Sequence, residues 1–407
     1  MTKPAVDAEA SPVERMLEQA YDRQRRGNLA AAEALYESVL ASDPERIEAL
    51  NNLGAIAIHA GRIDRGVELV RRALQLNPQN ADAQCNLGYA LNLLKHHVEA
   101  LGCFETALRL DPDHASAKQN RREAMADLKQ WELLEAYQIV LGVFPRLNPP
   151  VTFNERVLRR IIYDRDRRLK VLCDKLAVRK FIRQTVGDEY VVPLLGVWEH
   201  PKQINWDILP AKFALKPTHA SGLVALVDRS AGFDQQNLIQ DAEQWLSHDY
   251  FDTSLEWGYR GIPRFIIAEP LLQPRDRNAP LDAYVYTFFG RAALIRLLSG
   301  SKKSADRRDC WYDAGGRRLA INAAIPNVHL NLADADREHM IRIAQNVAPG
   351  FEMLRVDFYI AKSGLKIGEL TPYNSGGRVQ WDPPALDEIL GQLWHPDFDV
   401  SCLPRQE

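Results

Sequence analysis

The run Leu354-Arg355-Val356-Asp357-Phe358-Tyr359-Ile360 is followed by Ala361, by Lys362-Ser363-Gly364, and by Leu365-Lys366-Ile367-Gly368-Glu369-Leu370-Thr371. Lys362-Ser363-Gly364 suits a three-residue hairpin loop in which glycine takes the left-handed position. With Ser363 at the centre, Asp357 faces Glu369 and Arg355 faces Thr371. Strand side chains alternate between faces, so these four share one face. Leu354, Val356, Phe358 and Leu370 occupy the other, which packs on a core. Opposed carboxylates with Cβ atoms only ~5 Å apart destabilise a hairpin as like charges. A divalent cation between them removes the conflict. Hard oxygen ligands suit Mg²⁺, which binds through one or two carboxylates plus substrate phosphates. Arg355 beside them would stabilise a phosphoryl group in transfer. The plainer reading is a surface hairpin whose acids are neutralised by Arg355 and Lys366.

Two lysines bear on that choice. Phe213-Ala214-Leu215-Lys216 reads as a strand ending in lysine, followed by Pro217-Thr218 and the small-residue loop His219-Ala220-Ser221-Gly222. A lysine ammonium is a compact charge that meets a phosphate well, and exposed loop amides complete the contact. Upstream, Asp174-Lys175 opens a helical run, Leu176 to Ile182. Each lysine alone is more often a solvated charge, and the loop lacks the glycines of a Walker sequence.

These residues need elements to position them, and 407 residues suffice for two or three folding units. In the first third Pro44, Pro78 and Pro112 recur every 34 residues, giving units 13–46, 47–80 and 81–114. Leu53-Gly54 recurs as Leu87-Gly88, and Gly27 and Gly61 share a register. Ala32, Gly66 and Ala100 form a small column, Tyr36, Val70 and Phe104 a large one, and Val39, Ala73 and Ala107 a third. Small residues mark where two helices approach, and proline separates one helix pair from the next. The pattern resembles a tetratricopeptide solenoid. Residues 1–12 are expected to be disordered, 115–130 to form a polar closing helix, and 131–150 to be a linker. Asn52, Asn86 and Asn120 are also 34 apart, with Glu18 in that column of the first unit. Such a ladder of amides could hydrogen-bond a peptide partner in a groove, or simply tie helices together.

Beyond Asn148-Pro149-Pro150 the period is gone. Phe213–Leu215, Arg264–Ala268, Val285–Phe289, Leu294–Leu298 and Leu354–Ile360 read as strands, Asp334–Val347 and Ala385–Leu393 as helices. This mixture predicts an α/β or α+β domain of catalytic size, and periodicity does not choose between them. Residues 299–318, rich in Gly and Arg around Cys310 and Trp311, read as a loop, and Arg159–Lys170 as a solvated basic face.

Taken in order, the pieces after residue 141 resemble the ATP-grasp superfamily, specifically its TupA-like group. The resemblance rests on Phe153-Asn154-Glu155, Asp174-Lys175, Leu209-Pro210, Phe213 to Lys216, His219 to Gly222, and Ile266-Ile267-Ala268-Glu269. It ends on Arg355-Val356-Asp357-Phe358-Tyr359 and Gly368-Glu369-Leu370-Thr371, a pair also similar to the metal hairpin of D-alanine–D-alanine ligases. It implies an all-α solenoid followed by an α+β ATP-grasp domain over 151–400. Carried over, Lys175, Lys216, Ser221, Gly222 and Asp282 contact ATP and Glu269 sits at the adenine hinge. Asp357 and Glu369 hold Mg²⁺ and Arg355 is the catalytic cation. Where the superfamily commonly has asparagine after the metal glutamate this chain has Thr371, as the TupA-like group often does, and Asn374 is the substitute ligand. Ala283 and Tyr284 follow Asp282 where the group tends to have tyrosine and lysine, and Ala220 stands where glycine is usual.

The implied reaction is ATP-dependent carboxylate–amine ligation through an acyl phosphate, in surface polysaccharide or glycopeptide biosynthesis, on carboxylate and amine substrates that include glycan-linked ones. The alternatives are an ATP-grasp kinase acting on a hydroxyl and a non-catalytic docking scaffold. Composition excludes other classes. Net charge is −3, with neither half strongly basic, which argues against nucleic acid. No apolar run of membrane-spanning length is present, and five scattered cysteines fit a reducing cytoplasm.

Overall fold

The computed structural model describes residues 11–126, 130–275, 282–299, 308–321, 330 and 332–404. The chain divides into two compact units, residues 1–135 with 144–148, and residues 136–143 with 149–407.

The first unit is built of helix pairs: α1 (Pro12–Arg25) with α2 (Leu29–Ser42), α3 (Ile47–His59) with α4 (Ile63–Leu76), and α5 (Ala81–Leu93) with α6 (His97–Leu110). Helix α7 (Ala115–Ala126) packs on α6. Pro44, Pro78 and Pro112 each lie in the turn after a pair. The small columns permit close approach: a Cβ added at Gly54 would lie 2.6 Å from Val70, and one at Gly88 2.6 Å from Phe104. Tyr36, Val70 and Phe104 fill the gaps and are fully buried.

Each pair turns on a residue in the left-handed region, Gly27 (φ 76°), Gly61 (φ 79°) and Lys95 (φ 64°). Only the third carries a side chain there, at a cost of roughly 1–2 kcal/mol. After allowing for the extra freedom of glycine in the unfolded chain, Lys95→Gly is expected to stabilise the array by about 0.5–1 kcal/mol. The urea midpoint reads this directly, and an unchanged midpoint contradicts it.

Two boundaries differ from the sequence reading. Residues 1–10 lie outside the described residues, but Ser11 and Pro12 are ordered as the cap and first residue of α1. The Ser11 hydroxyl accepts from the Glu14 N–H, and the Glu14 carboxylate accepts from the Ser11 N–H. The closing helix is described over Ala115–Ala126, and 127–129 lie outside the described residues. The expected linker contains another helix, α8 (Trp131–Leu141), whose Leu133, Leu134 and Tyr137 are buried at helical spacing.

In the second unit, α9 (Phe153–Tyr163), α10 (Arg168–Cys173) and α11 (Ala177–Thr185) precede two antiparallel sheets. The first has order β1-β4-β2-β3, from β1 (Gly196–Trp198), β2 (Lys212–Pro217), β3 (Ala225–Asp228) and β4 (Ile266–Pro270). Phe213, Leu215, Ile266 and Ala268 pack with Leu238 and Ala242 of α12 (Gln235–Ser247). Alternation then leaves Lys216 and Glu269 together on the opposite face. A short helix, α13 (Tyr250–Ser254), follows α12.

The second sheet has order β10-β9-β5-β6-β7-β8, from β5 (Asp282–Phe288), β6 (Arg291–Ser299), β7 (Arg308–Asp313), β8 (Arg318–Leu319), β9 (Met353–Ala361) and β10 (Gly364–Thr371). Helix α14 (Asp334–Val347) lies against β5 and β6, and α15 (Leu386–Gln392) against α9. Residues 308–313 and Arg318, expected within a loop, belong to strands, and Cys310 and Trp311 are buried in the sheet. Arg160, expected on a solvated face, is 6 % exposed: its Nη1 donates to the Met353 and Pro372 carbonyls, and Trp394 covers its guanidinium.

The Phe153-Asn154-Glu155 motif is structural. Thr152 and Glu155 form a capping box at the start of α9. Asn154, fully buried, donates to the Val379 carbonyl and the Asp387 carboxylate and accepts from the Val379 N–H. It thereby pins the segment that follows β10.

Candidate functional site

The charged hairpin forms, by a different route from the one expected. Gly364 pairs with Ala361, so the loop is the two residues Lys362-Ser363. Continued regularly, that register would set Gly368 opposite Asp357 and turn Glu369 into the core. A bulge between Ile367 and Glu369 absorbs one residue, and beyond it Glu369 faces Asp357 and Thr371 faces Arg355. Gly368 fits there because a Cβ would lie 2.6 Å from the Tyr359 ring.

Asp357 is 8 % exposed and held by its strand neighbour. Arg355 Nε and Nη2 donate to its two carboxylate oxygens, each at 2.7 Å. Nη1 donates to Asn374 Oδ1 at 2.5 Å and Nη2 to Thr371 Oγ1 at 3.3 Å, with the Tyr284 ring 4.5 Å from the guanidinium carbon. Burial opposes this charge, but Asp357 beside it holds the guanidinium above its ordinary value. The cation expected to face a phosphoryl group is thus committed to orienting Asp357 and Asn374. Asn374 is buried at the head of the turn after β10, where Ser375, Gly376 and Gly377 have positive φ. Asp282 begins β5, two strands from Glu369 and opposite Tyr359.

The lysines converge on the other sheet. Glu269, 7 % exposed, accepts from Lys216 Nζ at 2.7 Å and pairs with Arg179 of α11. Arg179 escaped the sequence reading because it meets Glu269 only through the fold. Asp174 caps α11 by accepting from the Leu176 and Ala177 N–H groups, which fixes Lys175 just before the helix. The Lys175 ammonium donates to the Ala220 carbonyl. Burial, aided by the like charge of Lys216, pushes its pKa down, while Glu369 works the other way. This cation holds the loop and lies within electrostatic reach of Lys216 and Glu369. Ala220 is fully buried, Ser221 half-buried and Gly222 exposed with φ 76°. His219 secures the loop, its Nε2 lying 3.1 Å from the Trp245 and His248 carbonyls.

Sequence reasoning also missed Glu256, just after α13. It is 7 % exposed, and burial raises its carboxyl pKa to about 8, against a small opposing effect of Arg378. Cys173, Tyr250, Tyr259 and Tyr373 share its surroundings, and the first three are also within electrostatic reach of Glu369. The available signal was an acid immediately before the aromatic run Trp257-Gly258-Tyr259. The folded protein keeps this proton between about pH 4.5 and 8, where the unfolded chain has released it, so stability falls as pH rises through that window. Glu256→Gln is expected to flatten this dependence and raise the melting temperature at pH 8. A lower melting temperature for the variant at that pH contradicts it.

A cleft of about 450 Å³ is lined by Leu176, Arg179, Lys180, Arg183, Val191 and Lys366, among others. None of the expected nucleotide or metal residues lines it. In the array, Asn52 Nδ2 donates to the Glu48 carbonyl, Asn86 Nδ2 to Asn51 Oδ1 at 2.9 Å, and Asn120 Nδ2 to Cys85 Sγ at 3.9 Å. The Asn86 and Asn120 bonds tie the first helices of successive repeats, whereas the Asn52 bond stays within α3.

The TupA-like ATP-grasp family model matches residues 155–395, more than half of the chain. The chain belongs to the TupA-like ATP-grasp family. Tetratricopeptide repeat models match residues 17–81 and 81–114, ahead of the ATP-grasp domain. ATP-grasp domains generally bind ATP and Mg²⁺, and tetratricopeptide repeats commonly bind proteins or peptides. Protein FlbA of Caulobacter vibrioides is 32 % identical over 89 residues, 22 % of this chain and 15 % of FlbA. A mutant of the Thermobaculum terrenum O-GlcNAc transferase is similar at 30 % identity over 28 % of this chain and 22 % of that one, with a TM-score of 0.27. The first tetratricopeptide domain of Spaghetti (RPAP3), bound to an HSP90 peptide, is 18 % identical over 30 % of this chain and 97 % of that one, TM-score 0.27. The chain spans less than a quarter of the length of FlbA or of the transferase. Among the described residues no helix is long and apolar enough to cross a membrane.

Proposed function

We propose that this chain is an ATP- and Mg²⁺-dependent carboxylate–amine ligase acting through an acyl phosphate, in surface polysaccharide or glycopeptide assembly, with the repeat array docking a protein or peptide partner. What supports the reading is the placement of Lys175, whose N–H donates to the Thr218 carbonyl at 3.3 Å and whose ammonium donates to the Ala220 carbonyl of the loop. Its charge is within electrostatic reach of Glu369 of the hairpin and of Lys216.

The residues fit Mg²⁺. Asp357, Glu369 and Asn374 offer hard oxygen donors suited to Mg²⁺. Among the described residues no cluster of three or more His, Cys, Asp or Glu side chains could hold a metal ion. A cation here would therefore take these few ligands and substrate phosphates, and would supply charge neutralisation. Lys175 and Lys216 bind phosphate oxygens, Ser221 and Gly222 close over them and exclude water, and Arg355 keeps Asp357 and Asn374 aligned. A substrate carboxylate attacks the γ-phosphorus, ADP leaves, and an amine then displaces phosphate from the acyl carbon.

The docking-scaffold alternative has one observation in its favour, since Arg355 occupies both Asp357 oxygens. The test supplies γ-labelled ATP, Mg²⁺, an acidic hydrolysate of surface polysaccharide, and hydroxylamine as the amine. A ligase yields hydroxamate and free labelled phosphate. Label retained on the carbohydrate would establish the kinase, and no ADP at all the scaffold.

A further inference from the structure

The cleft beside α11 is built from one stripe of that helix and the chain that follows it. Leu176, Arg179, Lys180 and Arg183 recur at helical spacing and line it together, while Val178 and Ile182 turn into the core. Val191 and Leu194, ahead of β1, and Lys366 of β10 complete the walls. A bridge between Val191 and Ile367 joins those two walls. The volume of about 450 Å³ is that of an ordinary small-molecule site.

The lining describes the ligand. Arg179, Lys180, Arg183 and Lys366 contribute four cations, against Asp188 as the one acid. Asp188 is held by Arg183 Nε at 2.6 Å, and Lys366 Nζ donates to the Glu189 carbonyl at 2.5 Å. Arg179 is buried and fixed between the Val192 carbonyl and Glu269. Lys180 is exposed, with neither a hydrogen bond nor an ion pair among the described residues. Arg179 and Arg183 stand one turn apart, where like charges weaken a helix, and a bound anion would offset that. Beside the cations the surface is aliphatic, with Leu194 38 % exposed. A phosphate monoester carries a charge of about −1.5 to −2 at neutral pH and three acceptor oxygens, which suits converging ammonium and guanidinium groups.

We propose that this cleft is a second small-molecule site, which takes a phosphate monoester with an apolar ester group, its phosphate on the cations of α11 and its apolar part on Leu194 and Val191. It stands apart from the nucleotide site, since none of the nucleotide and metal residues assigned above lines it. A chain of contacts nonetheless joins the two. Arg179 pairs with Glu269, and Glu269 accepts from Lys216. Negative charge brought to either end draws on the same cations. Each ligand therefore weakens the other, and by the same factor.

The test is calorimetric titration of the full chain with hexyl phosphate, beside inorganic phosphate, 1-hexanol and hexanoate. Hexyl phosphate is expected to fill one site, roughly tenfold or more tighter than any of the other three. Lys180 and Leu194 are both exposed, so Lys180→Glu and Leu194→Ser should leave the melting temperature of the free protein unchanged. Each is expected to weaken hexyl phosphate roughly tenfold, and only Lys180→Glu to weaken inorganic phosphate as well. Saturating Mg²⁺–ATP should raise the dissociation constant of hexyl phosphate by a fixed factor that more nucleotide does not increase. A dissociation constant that climbs without limit as ATP rises would place the cleft inside the nucleotide site and overturn the inference. No binding of hexyl phosphate, or binding unchanged in Lys180→Glu, would overturn it equally. Hexanoate bound as tightly as hexyl phosphate would overturn the assignment to a phosphate.

Discussion

Asp357→Ala is expected to lower the stability of the ligand-free protein by about 3–5 kcal/mol, the usual cost of removing one partner from a buried ion pair. Side-chain exposures of 13 % for Arg355 and 12 % for Asp357 place this pair in that class. Without the carboxylate, the guanidinium keeps Asn374 and Thr371, neither of which carries charge. For a unit of this size the melting temperature should fall by on the order of 10 °C. A second exchange separates charge from packing. Arg355→Met combined with Asp357→Ala should cost less than Asp357→Ala alone, because no unpaired charge remains buried. Equal losses would mean that the pair matters for shape alone. The same carboxylate faces Glu369, so both Asp357→Ala and Glu369→Ala should remove the response to Mg²⁺–ATP.

Glu269→Ala should act in the opposite sense on ligand binding. Glu269 neutralises Arg179 and Lys216, whose side chains are 11 % and 15 % exposed, and Lys175 adds a third cation nearby. Removing the carboxylate leaves these charges unbalanced and is expected to destabilise the ligand-free protein by about 3–5 kcal/mol. Triphosphate restores negative charge at Lys175 and Lys216. The melting-temperature increase with saturating Mg²⁺–ATP should therefore be larger in the variant than in the parent, although the variant starts lower. An increase equal to or below that of the parent would remove Lys216 from the phosphate site. A calorimetric scan of both proteins with and without nucleotide provides all four values.

The parts legible in the sequence were those written as periodicity. A 34-residue repeat fixes helix pairs because each pair must present the same small and large residues to its neighbours, as Gly54 does to Val70 and Gly88 to Phe104. Alternation over Leu354–Ile360 likewise separated Arg355 and Asp357 from the buried Val356 and Phe358. What remained hidden depended on contacts far apart in the chain or on single residues. The loop was read as one residue too long, and the bulge at Gly368, a one-residue event with no periodic signature, restored the facing of Glu369 and Asp357. Cys310 and Trp311 looked like loop because the strand carrying them is short and flanked by charge. Arg160 looked solvated because the carbonyls of Met353 and Pro372 reach it only through the fold. Glu256 stayed hidden because its surroundings include Tyr373, which bonds to Gly258 from more than a hundred residues away.

The central claim is that two sheets bring Lys175 and Lys216 together with Asp357 and Glu369 around one magnesium nucleotide. Calorimetric titration of the full chain with ATP, in Mg²⁺ and again in excess chelator, tests it most directly. One site filled in Mg²⁺, lost with chelator and in Asp357→Ala and Glu369→Ala, and weakened roughly ten- to a hundredfold in Lys216→Ala, is the predicted result. No binding to the parent protein, or binding indifferent to Mg²⁺ and to both acidic exchanges, would contradict it.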